Sequence, residues 1–287
     1  MKPIVKYQGG KTRELPLIKK LLPQSYDTVL EPFCGGAAVS FALADRCILN
    51  DMNDALINMY RQVSHPTTFH EVFAHVNWLK TLEHDDLSVE YYKARDYING
   101  THVDPYTWAV SYITVRQLCF SGMERYNKAG KFNVPFGHYK KFSCNLDWNH
   151  MKFLHQSGSS IYHGDFEPIF DMAGEDDFIF IDPPYLDRLG YAHGNDTLHE
   201  RLVSCMKKSK AKWMFIHSAN DFYRDALSDY HIFYKQFGYA QRFGKNKNHD
   251  AAQVSHMYVT NYEDDMTLHR VNNASLQTLL EPDRIEA

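Results

Sequence analysis

Cysteine is sparse and scattered: Cys34, Cys47, Cys119, Cys144 and Cys205 are the five in 287 residues, with no C-x-x-C pair among them. That argues against a disulfide framework and against a structural zinc site. No run of about 18 apolar residues occurs, and the opening Met-Lys-Pro-Ile-Val-Lys-Tyr lacks the apolar stretch of a secretory signal, so no membrane association and a reducing, cytoplasmic setting are expected. Histidine is plentiful, at 16, yet no H-x-x-x-H or H-E-x-x-H spacing exists, and no metal is expected. A full G-x-G-x-x-G is missing as well, which lowers the odds of a nicotinamide enzyme. Net positive charge is absent: the formal charge is -4. The whole molecule therefore does not announce a nucleic-acid binder, and the distribution of charge has to decide.

What is present is strand–helix alternation with an interruption. Thr28-Val29-Leu30 runs into Glu31-Pro32-Phe33-Cys34-Gly35-Gly36 and then an apolar stretch from Ala37 to Leu43, a strand, a glycine turn and a helix. A second strand, Arg46 to Asn50, ends at Asp51. From about Asn53 to Leu118 the pattern is helical, with Tyr106 to Leu118 the longest run. A hairpin is expected around Ala129-Gly130. Strand–helix alternation resumes near Ile161, with buried strands at 177–181 and 213–217 and a last strand at 253–262 after a turn at 246–248. The expected fold is α/β, a doubly wound, mostly parallel sheet with an inserted helical domain. Its sheet domain would take residues 1–53 and 155–270, its insertion 54–154, and a polar tail 271–287.

Two strand ends carry candidate chemistry. Gly35 sits at the carboxyl end of the first strand, where backbone can approach a ligand closely, and Asp51 ends the next strand, where a carboxylate can accept hydrogen bonds from ribose hydroxyls. Alone, that turn fits helix-on-sheet packing equally well. The second end is Asp182-Pro183-Pro184-Tyr185, directly after an apolar strand. Two prolines fix the backbone and cannot donate to the ladder. A carboxylate and a carbonyl can together accept both hydrogens of an amine, while the tyrosine ring stacks on the planar system that bears it.

At these residues the chain resembles the Dam-type family of DNA adenine N6-methyltransferases. Lys6-Tyr7-Gln8-Gly9-Gly10-Lys11 is similar to that family's K-W-x-G-G-K, with Tyr7 for the usual Trp. Gly164-Asp165-Phe166 resembles its segment for the cofactor's adenine, and residues 125–140 resemble its DNA-reading hairpin. The likeness covers most of residues 4–262 in the family's motif order. It implies S-adenosyl-L-methionine as cofactor, lined by Tyr7, Lys11, Phe33, Gly35, Asp51, Asp165 and Phe166, with Asp182 shared. It implies Asp182, Pro183, Pro184 and Tyr185 as the catalytic set, acting on a flipped-out adenine. Double-stranded DNA would be met by Lys6, Phe120, Ser121, Arg125, Asn127 and Lys140. Where many relatives read Y-N-G-L or F-N-G-L this chain has Phe120-Ser121-Gly122-Met123, which removes an amide able to contact a base edge; the target that the resemblance implies is GATC or a related short site.

Charge distribution agrees with a DNA reader. From Arg125 to Ser143 there are five Lys or Arg and no Asp or Glu, interleaved with Tyr126, Phe132, Phe136, Tyr139 and Phe142. Rival readings keep the cofactor and change the amine to cytosine N4 or RNA adenine N6, or make the chain a DNA-binding module without catalysis. The Lys207–Lys212 run reads as a solvated helix end, and the glycine-containing loop 186–196 as a segment able to fold over the site. A restriction endonuclease counterpart, and action as a monomer or a dimer on DNA, are both compatible with the sequence.

Overall fold

The computed structural model describes residues 1–101, 104–156, 158–185, 195–239 and 252–263. The chain divides into two compact units, Met1–Leu15 with Asp27–Ile169, and Pro16–Tyr26 with Phe170–Ala287. A short helix, α1 (Leu15–Lys20), precedes the first strand.

The first unit opens with β1 (Val29–Glu31), α2 (Ala38–Leu43) and β2 (Cys47–Asp51). β1 pairs in parallel with β2, in register Val29 to Cys47. Helices α3 (Asp54–Ser64), α4 (Pro66–Leu79), α5 (His84–Ile98) and α6 (Pro105–Leu118) follow, then α7 (Trp148–His155) and β3 (Ser160–His163), which pairs in parallel with β2. The starts are written locally. Asn53 caps α3 by accepting from the Leu56 N–H at 3.0 Å, and Asp104 caps α6 through the Thr107 N–H at 2.8 Å, with Pro105 in the first turn. Asp147 and His150 form a reciprocal cap on α7. α6 is buried at every position from Ala109 to Leu118 and packs on α3, α4 and α5. Each fully buried Val, Ile or Leu there contributes about 1.5–3 kcal/mol. The predicted insertion, 54–154, lies wholly within this unit.

In the second unit α8 (Glu167–Met172) leads to β4 (Phe178–Ile181), α9 (Asn195–Lys208), β5 (Lys212–Ser218), α10 (Asp221–Ala226), β6 (His231–Tyr239) and β7 (Ala252–Thr260). β4 and β5 pair in parallel, while β7 pairs antiparallel with both β5 and β6. The all-apolar Phe178–Ile181 is buried at every position, as a strand covered on both faces requires. The segment 16–26 is tied in by Lys212 Nζ donating to the Ser25 carbonyl at 2.7 Å and Tyr262 OH donating to Leu21 at 2.8 Å.

The fold class is therefore mixed α/β, with seven mostly parallel strands among the described residues. One strand escapes the sequence reading: β6 carries Lys235 and Gln236 among its aromatics and has no turn signal that the reading uses. The expected turn at 246–248, the tail 271–287 and residues 186–194 of the expected loop lie outside the described residues; Asn195 and Asp196 open α9. Among the described residues no helix is long and apolar enough to cross a membrane, and no group of three metal-capable side chains occurs.

Candidate active site and nucleic-acid interface

The glycine turn after β1 is held from three directions. Gly35 adopts φ +46°, and a Cβ there would stand 2.8 Å from two carbons of the Tyr7 ring. Its N–H donates to Asp51 Oδ2 at 2.9 Å, and its carbonyl accepts from the buried Tyr60 hydroxyl at 2.8 Å. The absent side chain is thus the room that lets the Tyr7 ring lie on the backbone. Tyr7 itself opens a turn in which Gly10 N–H donates to the Tyr7 carbonyl at 3.2 Å, and the buried Lys11 donates Nζ to the Gly9 carbonyl at 2.8 Å.

Asp51 accepts a second bond from the Asn53 N–H, at 3.0 Å. Burial pushes its carboxyl above the ordinary value, against the pull of the Asn53 and Gly35 N–H donors, and the charge of Glu124 adds to the rise. Burial, followed by the charge of Asp51, keeps Tyr7 a neutral phenol. Close by in the same unit, Phe33 and Phe166 rings stand 5.2 Å apart. The loops that carry them are stitched by Asn50, whose amide donates to the Pro32 carbonyl at 2.9 Å and the Gly164 carbonyl at 3.0 Å. Asp165 is exposed and accepts from the Glu167 N–H at 2.9 Å. Of the residues predicted to hold a cofactor, Gly35 meets both Tyr7 and Asp51, and Phe33 pairs with Phe166.

The expected hairpin is present. Tyr126 bridges Phe132, Asn133 N–H donates to the Arg125 carbonyl at 3.0 Å, and the turn uses Gly130 at φ +71°. Asn127 builds that turn, its Oδ1 accepting from both the Ala129 and Lys131 N–H at 3.0 Å. Arg125 spends Nε and one terminal nitrogen on Asn133, at 2.7 and 3.0 Å. Lys140 is exposed. Lys6 donates to the Gln117 carbonyl at 2.7 Å, and its ammonium lies 3.8 Å from the Tyr139 ring centroid. Ser121 is exposed at φ +54°, in the turn Phe120–Gly122 that follows α6.

In the second unit Asp182 and Tyr185 are half-buried where β4 ends. The Tyr185 ring sits 4.7 Å from His217 and 5.7 Å from His256, both buried. His217 donates Nδ1–H to the Ser218 carbonyl at 2.8 Å and packs 4.8 Å from the Tyr223 ring, which is hydrogen-bonded to His199. A rigid aromatic floor therefore lies under the tyrosine.

Residues 7–241 match the model of the D12 class N6 adenine-specific DNA methyltransferases. The chain belongs to that family. Among its relatives is the type II methyltransferase M.CviBI of Paramecium bursaria Chlorella virus NC1A, 32% identical over 91% of this chain and all of that one. The type II methyltransferase M1.LlaDCHI of Lactococcus lactis subsp. cremoris is 29% identical over 91% and 96% of the two chains. The DNA adenine methylase of Haemophilus influenzae is 31% identical over 64% of each.

This D12-class enzyme is an adenine-specific DNA methyltransferase. Several residues that shape its candidate site escape the sequence reading. Asn50 and Tyr60 act only through bonds to carbonyls distant in the chain, a role no residue-type pattern announces. Arg116, with a side chain only 1% exposed, sits in the last turn of a largely apolar helix; a cation among buried neighbours is the one signal that marks it out. His256 reaches Tyr185 from β7 and His199 reaches His217 from α9, contacts that no residue-type pattern announces.

Proposed function

We propose that the chain transfers a methyl group from S-adenosyl-L-methionine to the N6 amine of an adenine flipped out of double-stranded DNA, at GATC or a related short site. The observation that carries the reading is Asp182-Pro183-Pro184-Tyr185 at the end of the buried strand β4, with Tyr185 resting on His217.

The residues present fit the cofactor. Tyr7, seated on the Gly35 backbone in the space a Cβ would take, suits a planar or sulfonium-bearing ligand, and Asp51 at the end of β2 suits ribose hydroxyls. Lys11, Phe33, Asp165 and Phe166 would complete that lining, with Asp182 shared. When bound, S-adenosyl-L-methionine supplies an electrophilic methyl group on a sulfonium. The chain's own part is orientation. The adenine N6 lone pair is delocalised into its ring; the Asp182 carboxylate and the Pro183 carbonyl, accepting its two hydrogens, would localise it for in-line attack. Asp182, accepting one N6 hydrogen, would take the surplus proton of the methylated amine and pass it to water. Tyr185 stacks on the extruded base, which duplex DNA could not otherwise present.

Residues 54–154 would serve as the target-recognition region, with Lys6, Phe120, Ser121, Arg125, Asn127 and Lys140 toward DNA. Asn127 and Arg125 hold the hairpin's shape, and the exposed lysines supply phosphate contacts. A cytoplasmic enzyme, alone or beside a restriction endonuclease and acting as a monomer or dimer on DNA, fits this reading.

The test is methyl transfer from labelled S-adenosyl-L-methionine to unmethylated genomic DNA, with nucleoside analysis and sequencing of the product. N6-methyladenine confined to one short motif is expected. N4-methylcytosine, transfer to RNA alone, or no transfer would overturn the reading.

A further inference from the structure

The candidate cofactor contacts and the candidate DNA-reading turn are joined by a closed ring of contacts through one buried ion pair. Arg116, on α6, has its guanidinium 3.5 Å from Glu124 Oε2, with side-chain exposures of 1% and 18%. The same guanidinium donates to the Lys6 carbonyl from Nε at 3.1 Å and from a terminal nitrogen at 2.9 Å. It donates also to the Met123 and Gly122 carbonyls, each at 3.2 Å. One side chain thereby fixes the backbone before Tyr7 and the backbone after Ser121.

Glu124 closes the ring. Its Oε1 accepts from the Asn53 amide at 3.3 Å and from the Tyr126 hydroxyl at 2.9 Å, the latter on the hairpin. Asn53 is in turn held by Asp51 through its N–H and caps α3 through its side-chain oxygen. From Asp51 the ring returns by the Gly35 N–H to the Tyr7 ring, and Tyr7 lies 5.5 Å from the Arg116 guanidinium. Anything that bonds Asp51 or stacks on Tyr7 acts on a network that also holds the Phe120–Gly122 turn and Tyr126.

We propose that the Arg116–Glu124 pair is a positioning device that couples cofactor occupancy to DNA binding. Neither residue touches the reacting atoms. The pair sets where Lys6, Ser121 and the hairpin stand once Asp51 and Tyr7 are engaged, and a DNA-ordered turn returns the favour to the cofactor side, because linkage is reciprocal. The proposal rests on the reading of Tyr7 and Asp51 as cofactor contacts and of residues 120–127 as DNA-facing.

The experiment is calorimetric titration of the full chain with S-adenosylhomocysteine, with and without excess sheared unmethylated genomic DNA. For the wild type, DNA should tighten the affinity by at least about fivefold, the lower end of ordinary site–site coupling. E124Q keeps an oxygen for Asn53 and Tyr126 but removes the charge facing Arg116; R116K keeps the charge but loses the planar fork. Both should bring the DNA effect to less than about twofold, measured on variants whose melting temperature shows them folded. A merely structural role would weaken both ligands and leave their ratio unchanged. Wild-type coupling retained in E124Q, or no coupling in the wild type, overturns this device and leaves the methyl-transfer reading standing. Absence of S-adenosylhomocysteine binding overturns both.

Discussion

Gly35 occupies a position that no other residue can fill without moving Tyr7. Its φ of +46° is costly for an L side chain, and a methyl group would enter the tyrosine ring at 2.8 Å. Gly35→Ala should destabilise the protein by about 1–3 kcal/mol, the sum of backbone strain and overpacking. It should also weaken S-adenosylhomocysteine binding by about tenfold or more; unchanged affinity in calorimetry would separate the turn from the cofactor. Asp51 gives a pH signature of the same site. Burial raises its carboxyl, so the folded chain holds that proton more tightly than the unfolded one, and the group costs stability as pH climbs from its ordinary value through the raised one. Hydroxyl donors of a bound ligand favour the carboxylate. Cofactor affinity should therefore weaken as pH falls through that raised value, and Asp51→Asn should flatten the profile in titrations at a series of pH values.

The elements legible in the sequence are those whose signal is local. Phe178–Ile181 is a continuous apolar run, α6 starts at Asp104-Pro105, and the hairpin turns at Asn127 and Gly130; each is written in neighbouring residues. The strand β6 is not, because its place is set by pairing with β7, more than a dozen residues on. The site divides the same way. Gly35 and Asp51 lie at strand ends where residue type speaks, whereas Arg116 meets Lys6 across 110 positions and Asn50 meets Gly164 across 114. The hairpin also carries a prediction of its own. Lys128 and Lys131 are exposed on its turn, while Arg125 is partly committed to Asn133. If these lysines meet phosphates, K128A with K131A should lower the slope of log affinity against log salt by about 0.9 for each lost contact. Fluorescence anisotropy on duplex DNA across a salt series reads this, and an unchanged slope would turn the hairpin away from the backbone.

At the scale of the molecule, a net charge of -4 coexists with a stretch from Arg125 to Ser143 that has no acid at all. The residues proposed to hold DNA belong to one compact unit, and Asp182 with its aromatic floor belongs to the other. Affinity and chemistry should then separate on mutation. Phosphate contacts supply the larger part of binding, so losing the Asp182 carboxylate should cost DNA affinity less than about tenfold, the size of one net hydrogen bond to an amine. Turnover depends on aligning and localising the N6 lone pair, and the same Asp182→Ala change should lower it by about 10²–10³-fold or more. Tyr185→Phe keeps the ring on His217 and should retain most of the rate, whereas Tyr185→Ala removes the stacking partner, worth about 1–3 kcal/mol, and should lower the rate about 5- to 150-fold. Single-turnover methylation beside equilibrium DNA binding separates these effects. Full turnover in the Asp182→Ala enzyme would remove the carboxylate from the reaction and leave the family membership without its proposed chemistry.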